Sequence, residues 1–188
     1  MARPQLLIFD VNETLLDLTE LRSVLTAALG GGERLAEWFF RLLHGSLVAN
    51  ATDSFRSLPP HADVSAGLDR LANAGFRLIA LSNGSPIGIP AQLTNAGIID
   101  RFEMVVSVEE AGRFKPDPAP YRLALERAAV DPGQALMVAA HDWDIIGARA
   151  VGIPGAFIAR PGVVWTVPHE LPKLTPADIG ELAAALDA

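Results

Sequence analysis

The sequence of 188 residues contains no cysteine, so it has neither a disulfide framework nor a thiolate metal site. It also lacks a basic cluster: 15 Lys and Arg stand against 22 Asp and Glu, and the formal net charge of -7 argues against a nucleic-acid partner. No apolar run approaches the length of a membrane span, and the start, MARPQ before a short apolar run, does not have the form of a secretory signal. These absences predict a cytoplasmic protein without a nucleic-acid or membrane partner.

Half of the residues are hydrophobic and 20% are charged, which is typical of a packed globular protein. Strand-like apolar runs alternate with helical patterns along most of the chain. This alternation predicts an α/β fold, a doubly wound parallel sheet with helices on both faces. The predicted strands are residues 6–9, 77–81, 104–106, 135–139 and 155–158.

Helical patterns follow each predicted strand. They cover residues 87–96, 119–129 and 142–151, and a last helix begins near Ala177. A further helix, capped by Asp63 or Ser65, runs to about residue 74, and Gly75 ends it. Two more helical patterns, residues 18–29 and 33–49, are inserted after the first strand. We therefore predict a core domain of residues 1–16 and 59–188 and a small helical cap of residues 17–58.

Polar side chains follow four of the predicted strands. Asp10 comes directly after the first, Ser82 and Asn83 after the second, Lys115 lies in the loop beyond the third, and Asp144 follows the fourth. Each residue also has an ordinary structural role. Asp10, Ser82 and Asn83 are alternatively turn formers or helix caps. Lys115 is alternatively a solvated surface lysine, and Asp144 an acid that stabilises the first turn of a helix. Ligands of such sheets bind at the carboxyl edge, so the four strand ends together predict a site there.

Four segments carry a family resemblance. FDVNETLLD, LSNGSP, FKPDPAPY and VAAHDWDIIGAR resemble, in this order, the four motifs of the haloacid dehalogenase superfamily, and specifically its type II, or L-2-haloacid, branch. The resemblance implies hydrolysis of 2-haloalkanoic acids to 2-hydroxy acids, with no metal and no cofactor. Asp10 would displace the halide from C2, and water would then hydrolyse the resulting ester.

The resemblance also implies roles for individual residues. Thr14 would donate a hydrogen bond to Asp10, Lys115 would offset its charge, and Asp144 would contact the lysine and help place water. With His141 these residues make up the expected catalytic set: Asp10, Thr14, Lys115, His141 and Asp144. The expected substrate-binding set is Asn12, Phe39, Arg41, Ser82, Asn83, Tyr121 and Trp143.

Some positions depart from the type II pattern. Asn12 stands where the family usually has Tyr, Glu13 where it has Gly, and His141 where it has Asn. A His141 that lines the site would bind the halide or position water, and its alternative is a local role at a helix start. Trp143 forms either an apolar wall of the site or part of the core.

A second candidate function is magnesium-dependent phosphate-ester hydrolysis. It usually needs an acid two residues after the nucleophile to protonate the leaving group, and Asn12 cannot do this. Ala140 stands where metal-dependent members commonly keep an acid, although Asp142 is a possible substitute.

The insertion between the first and second motifs is shorter than the family's usual helical cap. Arg41 is either a shifted halide ligand or a surface charge, and Phe39 and Phe40 would instead form an apolar halide pocket. A short cap leaves Asp10 open to water or requires a second subunit, so we expect a homodimer formed through the cap. A catalytically reduced, dimeric binding protein is the third candidate.

Overall fold

The computed structural model of the chain describes residues 3–19, 58–167 and 172–187. Five strands in these ranges form one parallel sheet: β1 (Leu6–Phe9), β2 (Arg77–Ser82), β3 (Met104–Ser107), β4 (Ala135–Ala139) and β5 (Gly155–Phe157). Their order across the sheet is β3-β2-β1-β4-β5. Central β1 pairs Phe9 with Ala80 of β2 and with Val138 of β4. The predicted doubly wound α/β sheet is thus confirmed.

Helices cover both faces of the sheet because its central strands are apolar on both sides. Leu7 and Phe9 of β1 face one core and Leu6 and Ile8 face the other. The helices are α1 (Val64–Asn73), α2 (Gly88–Asn95), α3 (Val108–Ala111), α4 (Pro118–Ala128), α5 (Asp142–Ala150) and α6 (Ile179–Asp187). Helices α1, α2 and α6 pack on the first face, and α4 and α5 pack on the second.

The predicted elements differ from the observed ones mostly by one or two residues at their ends. Short α3 was not predicted, and it begins at a capping box in which Ser107 accepts a hydrogen bond from the N–H of Glu109 while Glu110 accepts from the N–H of Ser107. Asp63 precedes α1, but its side chain makes no capping bond. Its carboxylate instead accepts hydrogen bonds from Arg160 and from the N–H of Ile179.

Most of the predicted cap lies outside the described residues. This applies to the helices predicted at residues 18–29 and 33–49 and to the side chains of Phe39, Phe40 and Arg41. The division into core and cap therefore stays a prediction. Within the described ranges no helix is both long and apolar enough to span a bilayer.

Candidate active site

The site forms where the carboxyl ends of β1, β2 and β4 meet. From β1 the chain adds β2 and β3 on one side and then crosses to β4 and β5 on the other. Such a switch of direction leaves a crevice beyond the strand ends. Asp10 follows β1, Ser82 ends β2, and the segment Ala140–Asp144 follows β4. The polar strand ends singled out in the sequence are therefore neighbours.

Asp10 is almost fully buried, and both of its carboxylate oxygens accept hydrogen bonds. Thr14 Oγ1 donates to Oδ2 at 2.8 Å, and Lys115 Nζ donates to Oδ1 at 2.9 Å. Thr14 is held in turn by the backbone N–H of Ala140, which donates to its hydroxyl at 2.9 Å. This chain of contacts fixes the orientation of the carboxylate, and the turn-former reading of Asp10 does not account for it.

Lys115 is a buried lysine, not a solvated one. Its ammonium makes three hydrogen bonds, to Asp10 Oδ1 at 2.9 Å, to Asp144 Oδ2 at 2.6 Å and to the carbonyl of Leu81 at 2.9 Å. These three acceptors match its three N–H donors. The side chain has no exposed surface, and its two carboxylate partners stabilise the positive charge of the buried ammonium.

Asp144 and Tyr121 form a layer behind the lysine. Asp144 is fully buried and uses both oxygens: Oδ2 accepts from Lys115, and Oδ1 accepts from the Tyr121 hydroxyl at 2.6 Å. The Tyr121 hydroxyl thus bonds to Asp144, one layer behind the Asp10 carboxylate. Gly147 makes room for this layer, since a Cβ at that position would lie 2.6 Å from the Tyr121 hydroxyl.

The charges of this cluster set its protonation. Burial by itself raises the pKa of Asp10, but Lys115 and His141 outweigh burial and hold that pKa well below its usual range. Burial and the charge of Asp10 raise the pKa of Asp144 above its ordinary value, against the pull of Lys115 and Tyr121. Burial disfavours the charged lysine, yet the two carboxylates raise the pKa of Lys115. Asp10 is therefore the carboxylate that keeps its negative charge most strongly.

His141 reaches the same carboxylate from the start of α5. Its Nδ1 lies 3.5 Å from Asp10 Oδ2, and its Nε2 lies 2.9 Å from Oε2 of Glu13. Its ring is also close to that of Trp143, with centroids 5.1 Å apart, and the Trp143 ring lies 5.8 Å from the Lys115 ammonium. His141 and Trp143 thus line the Asp10 site.

Glu13, which contacts His141, is a residue of the site that the sequence did not predict. It is buried and has a φ of 65°, in the left-handed region that favours glycine. A non-glycine residue held there costs about 1–3 kcal/mol. The only sequence signal was a Glu where the family usually has Gly.

Three further sequence-predicted residues lie at or just beyond the carboxyl ends of β1 and β2. Ser82 is buried, and its hydroxyl accepts a hydrogen bond from the N–H of Gly84 at 3.3 Å, as expected of a turn residue. Asn83 binds the backbone of Lys115. Asn12 has a buried Oδ1 that lacks a hydrogen-bond partner in the part of the chain that the structure describes. The substrate-binding roles of these three residues stay predictions.

Arg160 is a second residue that the sequence did not reveal. It is buried, donates to the carbonyl of Thr14 at 2.8 and 3.1 Å, and pairs with Asp63 at 2.6 Å. It ties the loop after β1 to the start of α1. Arg160 follows β5, and no sequence motif marks it.

The donor set does not fit a magnesium ion. Both oxygens of Asp10 and both of Asp144 are engaged, and Ala140 offers no side-chain ligand. The carboxylate of Asp142 accepts hydrogen bonds from Trp143 N and from the Thr166 backbone and hydroxyl, so it does not replace the missing acid. Within the described ranges no three His, Cys, Asp or Glu side chains are grouped to hold a metal ion.

The fold and this cluster define a haloacid dehalogenase-like hydrolase. The sequence model of the haloacid dehalogenase-like hydrolase family matches residues 4–152 of this chain, and the chain therefore belongs to that family. It is 37% identical over 113 residues to an (S)-2-haloacid dehalogenase of Pseudomonas sp. strain YL, covering 60% of this chain and 49% of that protein. It is 32% identical over 130 residues to an (S)-2-haloacid dehalogenase of Pseudomonas putida, covering 69% of this chain and 58% of that one.

The chain thus spans about half the length of the curated relatives it matches. Among solved structures it resembles the L-2-haloacid dehalogenase of Xanthobacter autotrophicus, with a TM-score of 0.81 and 23% identity over 97% of this chain and 98% of that one. At that identity the likeness establishes the fold alone.

Proposed function

We propose that this chain hydrolyses 2-haloalkanoic acids to 2-hydroxy acids, with Asp10 as the nucleophile and without a metal ion. The observation that carries the proposal is the pairing of Asp10 with Lys115 at 2.9 Å. It provides a buried carboxylate that is ionised, fixed in orientation and charge-compensated, as a nucleophile needs to be when an anionic substrate approaches. The names of the relatives support the same substrate class.

The first step forms an ester on the enzyme. An oxygen of Asp10 bonds to C2 of the haloacid from the side opposite the halogen, and the carbon–halogen bond breaks with its electron pair leaving as halide. Thr14 orients the carboxylate, and Lys115 reduces the repulsion between Asp10 and the substrate carboxylate. In the second step water adds to the carboxyl carbon of Asp10 and releases a 2-hydroxy acid of inverted configuration.

We assign substrate-binding roles to residues that lie at the strand ends around Asp10. Asn12, Asn83 and Trp143 follow the strands around Asp10, and Ser82 ends one of those strands. Tyr121 acts through Asp144. Halide binding by Arg41 or by Phe39, a homodimer formed through the cap, and a cytoplasmic location belong to the same proposal and rest on the sequence alone.

A halide-release assay tests the proposal. The protein is incubated with L-2-chloropropionate in the presence of a chelator, and free chloride is measured for the wild type and for Asp10→Asn. We expect release by the wild type and none by the variant. Absence of chloride release, together with magnesium-dependent cleavage of a chromogenic phosphate ester, would overturn the proposal in favour of a phosphatase.

A further inference from the structure

Arg160 holds the backbone of Thr14, the residue that orients the proposed nucleophile. Nη2 of Arg160 donates to the carbonyl oxygen of Thr14 at 2.8 Å, and Nε donates to the same oxygen at 3.1 Å. A third bond runs from Nη1 to Oδ1 of Asp63 at 2.6 Å. Because the guanidinium is planar and rigid, its two donors fix the direction of the Thr14 carbonyl as well as its position.

Thr14 is held from two strand ends at once. Its hydroxyl donates to Asp10 Oδ2 at 2.8 Å and accepts from the N–H of Ala140, which follows β4, at 2.9 Å. Its carbonyl is bound by Arg160, which follows β5. Thr14 has no exposed surface, so these contacts are made without competing solvent. A change at Arg160 therefore reaches the Asp10 carboxylate through a single residue.

Asp63 compensates the charge of the buried guanidinium. Arg160 is only 5% exposed, and a buried cation needs an ionised partner. Burial raises the pKa of Asp63, but the hydrogen bonds from Arg160 and from the N–H of Ile179 outweigh burial and hold that pKa below its ordinary value. Asp63 thus balances the charge of Arg160, and the other two donors of the guanidinium bind Thr14.

Arg160 acts on the nucleophile through geometry, since other groups set the charge of Asp10. Burial raises the pKa of Asp10, and the neighbours that bring it down are Lys115 and His141. These neighbours remain when Arg160 is replaced, so Asp10 stays ionised. What changes is the direction in which its carboxylate points, and a displacement of about 1 Å in a reacting group can cost roughly 100-fold in rate.

We propose that Arg160 is a positioning residue for ester formation and acts on Asp10 through Thr14; the inference rests on the proposed function. In this step an oxygen of Asp10 bonds to C2 of the haloacid, and the halide leaves with the electron pair of the carbon–halogen bond. By fixing the Thr14 carbonyl, Arg160 keeps the Thr14 hydroxyl on Oδ2 of Asp10 and the carboxylate in line with that bond.

A purely structural role for Arg160 predicts a different result. The pair with Asp63 joins the loop after β5 to the start of α1, and its loss alone would lower stability without changing the rate of the folded molecules. Arg160→Lys keeps a cation for Asp63 but loses the planar pair of donors on Thr14. This variant should therefore recover stability and leave the rate of ester formation low.

The matched control for Arg160→Met is Arg101→Met. Arg101 also donates to a backbone carbonyl, that of Gly97, and to both carboxylate oxygens of Asp69. It precedes β3, at the opposite edge of the sheet from Asp10. The control therefore removes the same kinds of contact without touching the site.

Single-turnover halide release, measured by rapid quench over a range of L-2-chloropropionate concentrations, gives the rate of ester formation. For Arg160→Met we expect the maximal rate to fall roughly 10- to 100-fold. The substrate concentration at half the maximal rate should stay within about twofold of the wild-type value, because Arg160 does not touch the substrate. Arg101→Met should match the wild type in both quantities. Urea unfolding gives the folded fraction to which each rate is referred.

A double-mutant cycle with Thr14→Val tests whether the effect passes through Thr14. Valine keeps the branched shape of threonine and lacks its hydroxyl. Once that hydroxyl is gone, adding Arg160→Met should lower the rate of ester formation by less than about threefold, because the two substitutions break the same path to Asp10. Effects that multiply would show that Arg160 does not act through Thr14 and would overturn the inference.

The possible failures are distinguishable. If Arg160→Met does not fold, Arg160→Lys takes its place in the cycle. If the wild type turns over and the folded Arg160 variants form the ester at the wild-type rate, only this inference fails. If the wild type releases no halide, the proposed function fails and the inference with it.

Discussion

The side chain of Asn83 holds the backbone of Lys115 at both of its polar groups. The N–H of Lys115 donates to Asn83 Oδ1 at 2.8 Å, and Asn83 Nδ2 donates to the Lys115 carbonyl at 3.4 Å. These bonds tie the loop after β2 to the loop before α4. They set the position from which the lysine side chain reaches Asp10.

Replacing Asn83 should therefore displace the lysine. We expect Asn83→Ala to reduce halide release roughly 10- to 100-fold, since small misplacements of a reacting group cost that much. Ser85→Ala is the control: Ser85 lies in the same loop, but its hydroxyl accepts from the N–H of Gly88 and not from Lys115. Equal activity of Asn83→Ala and the wild type would show that Lys115 is held by other contacts.

Removing the lysine should affect stability as well as activity. Lys115→Met leaves two buried carboxylates without their shared cation, which typically costs about 3–5 kcal/mol of the free energy of unfolding. Urea unfolding measures this loss. Adding Asp144→Asn should recover part of it, because one buried charge is removed. An unchanged urea midpoint in Lys115→Met would contradict the buried pairing.

Gly147 tests the packing of the layer behind the lysine. A Cβ there would lie 2.6 Å from the Tyr121 hydroxyl and 2.8 Å from the carbonyl of Pro116, so Gly147→Ala should lower the free energy of unfolding by about 1–3 kcal/mol. The matched control is Gly133→Ala, whose new methyl would meet nothing within 4 Å. Equal stability of the two variants in thermal unfolding would contradict the close approach of α5 to Tyr121.

The lowered pKa of Asp10 makes a prediction about pH. Because the folded protein favours the charged form, Asp10 binds a proton only well below the ordinary carboxyl value of about 4, and it stays ionised at every higher pH. The rate of ester formation, measured as the halide burst in a single turnover, should therefore be level between about pH 5 and 8. A steady rise across this range would mean that another group must lose a proton in the first step.

Several site residues were predictable because the sheet is parallel. Asp10, Ser82, Lys115 and Asp144 each follow an apolar strand, and parallel strands place their carboxyl ends on one edge. The hydrogen bond from Thr14 to Asp10 spans four residues, and it was expected from the resemblance. For Asp10, Ser82, Lys115 and Asp144 the order of strands along the chain was enough to predict a common edge.

Other contacts depend on packing between distant segments. The bond between Glu13 and His141 joins two loops whose approach no local pattern encodes, and Arg160 reaches Thr14 from a segment without a motif. Tyr121 was expected at the site, but it lies one layer back because α4 places its hydroxyl against Asp144. Sequence spacing shows which strand end a residue belongs to, but not which neighbour its side chain selects.

The central claim, that Asp10 forms an ester with the substrate, is tested most directly by an isotope experiment. The protein, in molar excess over L-2-chloropropionate, completes a single turnover in water that contains heavy oxygen, and mass spectrometry locates the label. The mechanism predicts that the 2-hydroxypropionate is unlabelled, because its new oxygen comes from Asp10, and that the peptide containing Asp10 carries the label. Heavy oxygen in the product of this first turnover would mean direct attack by water and would contradict the account.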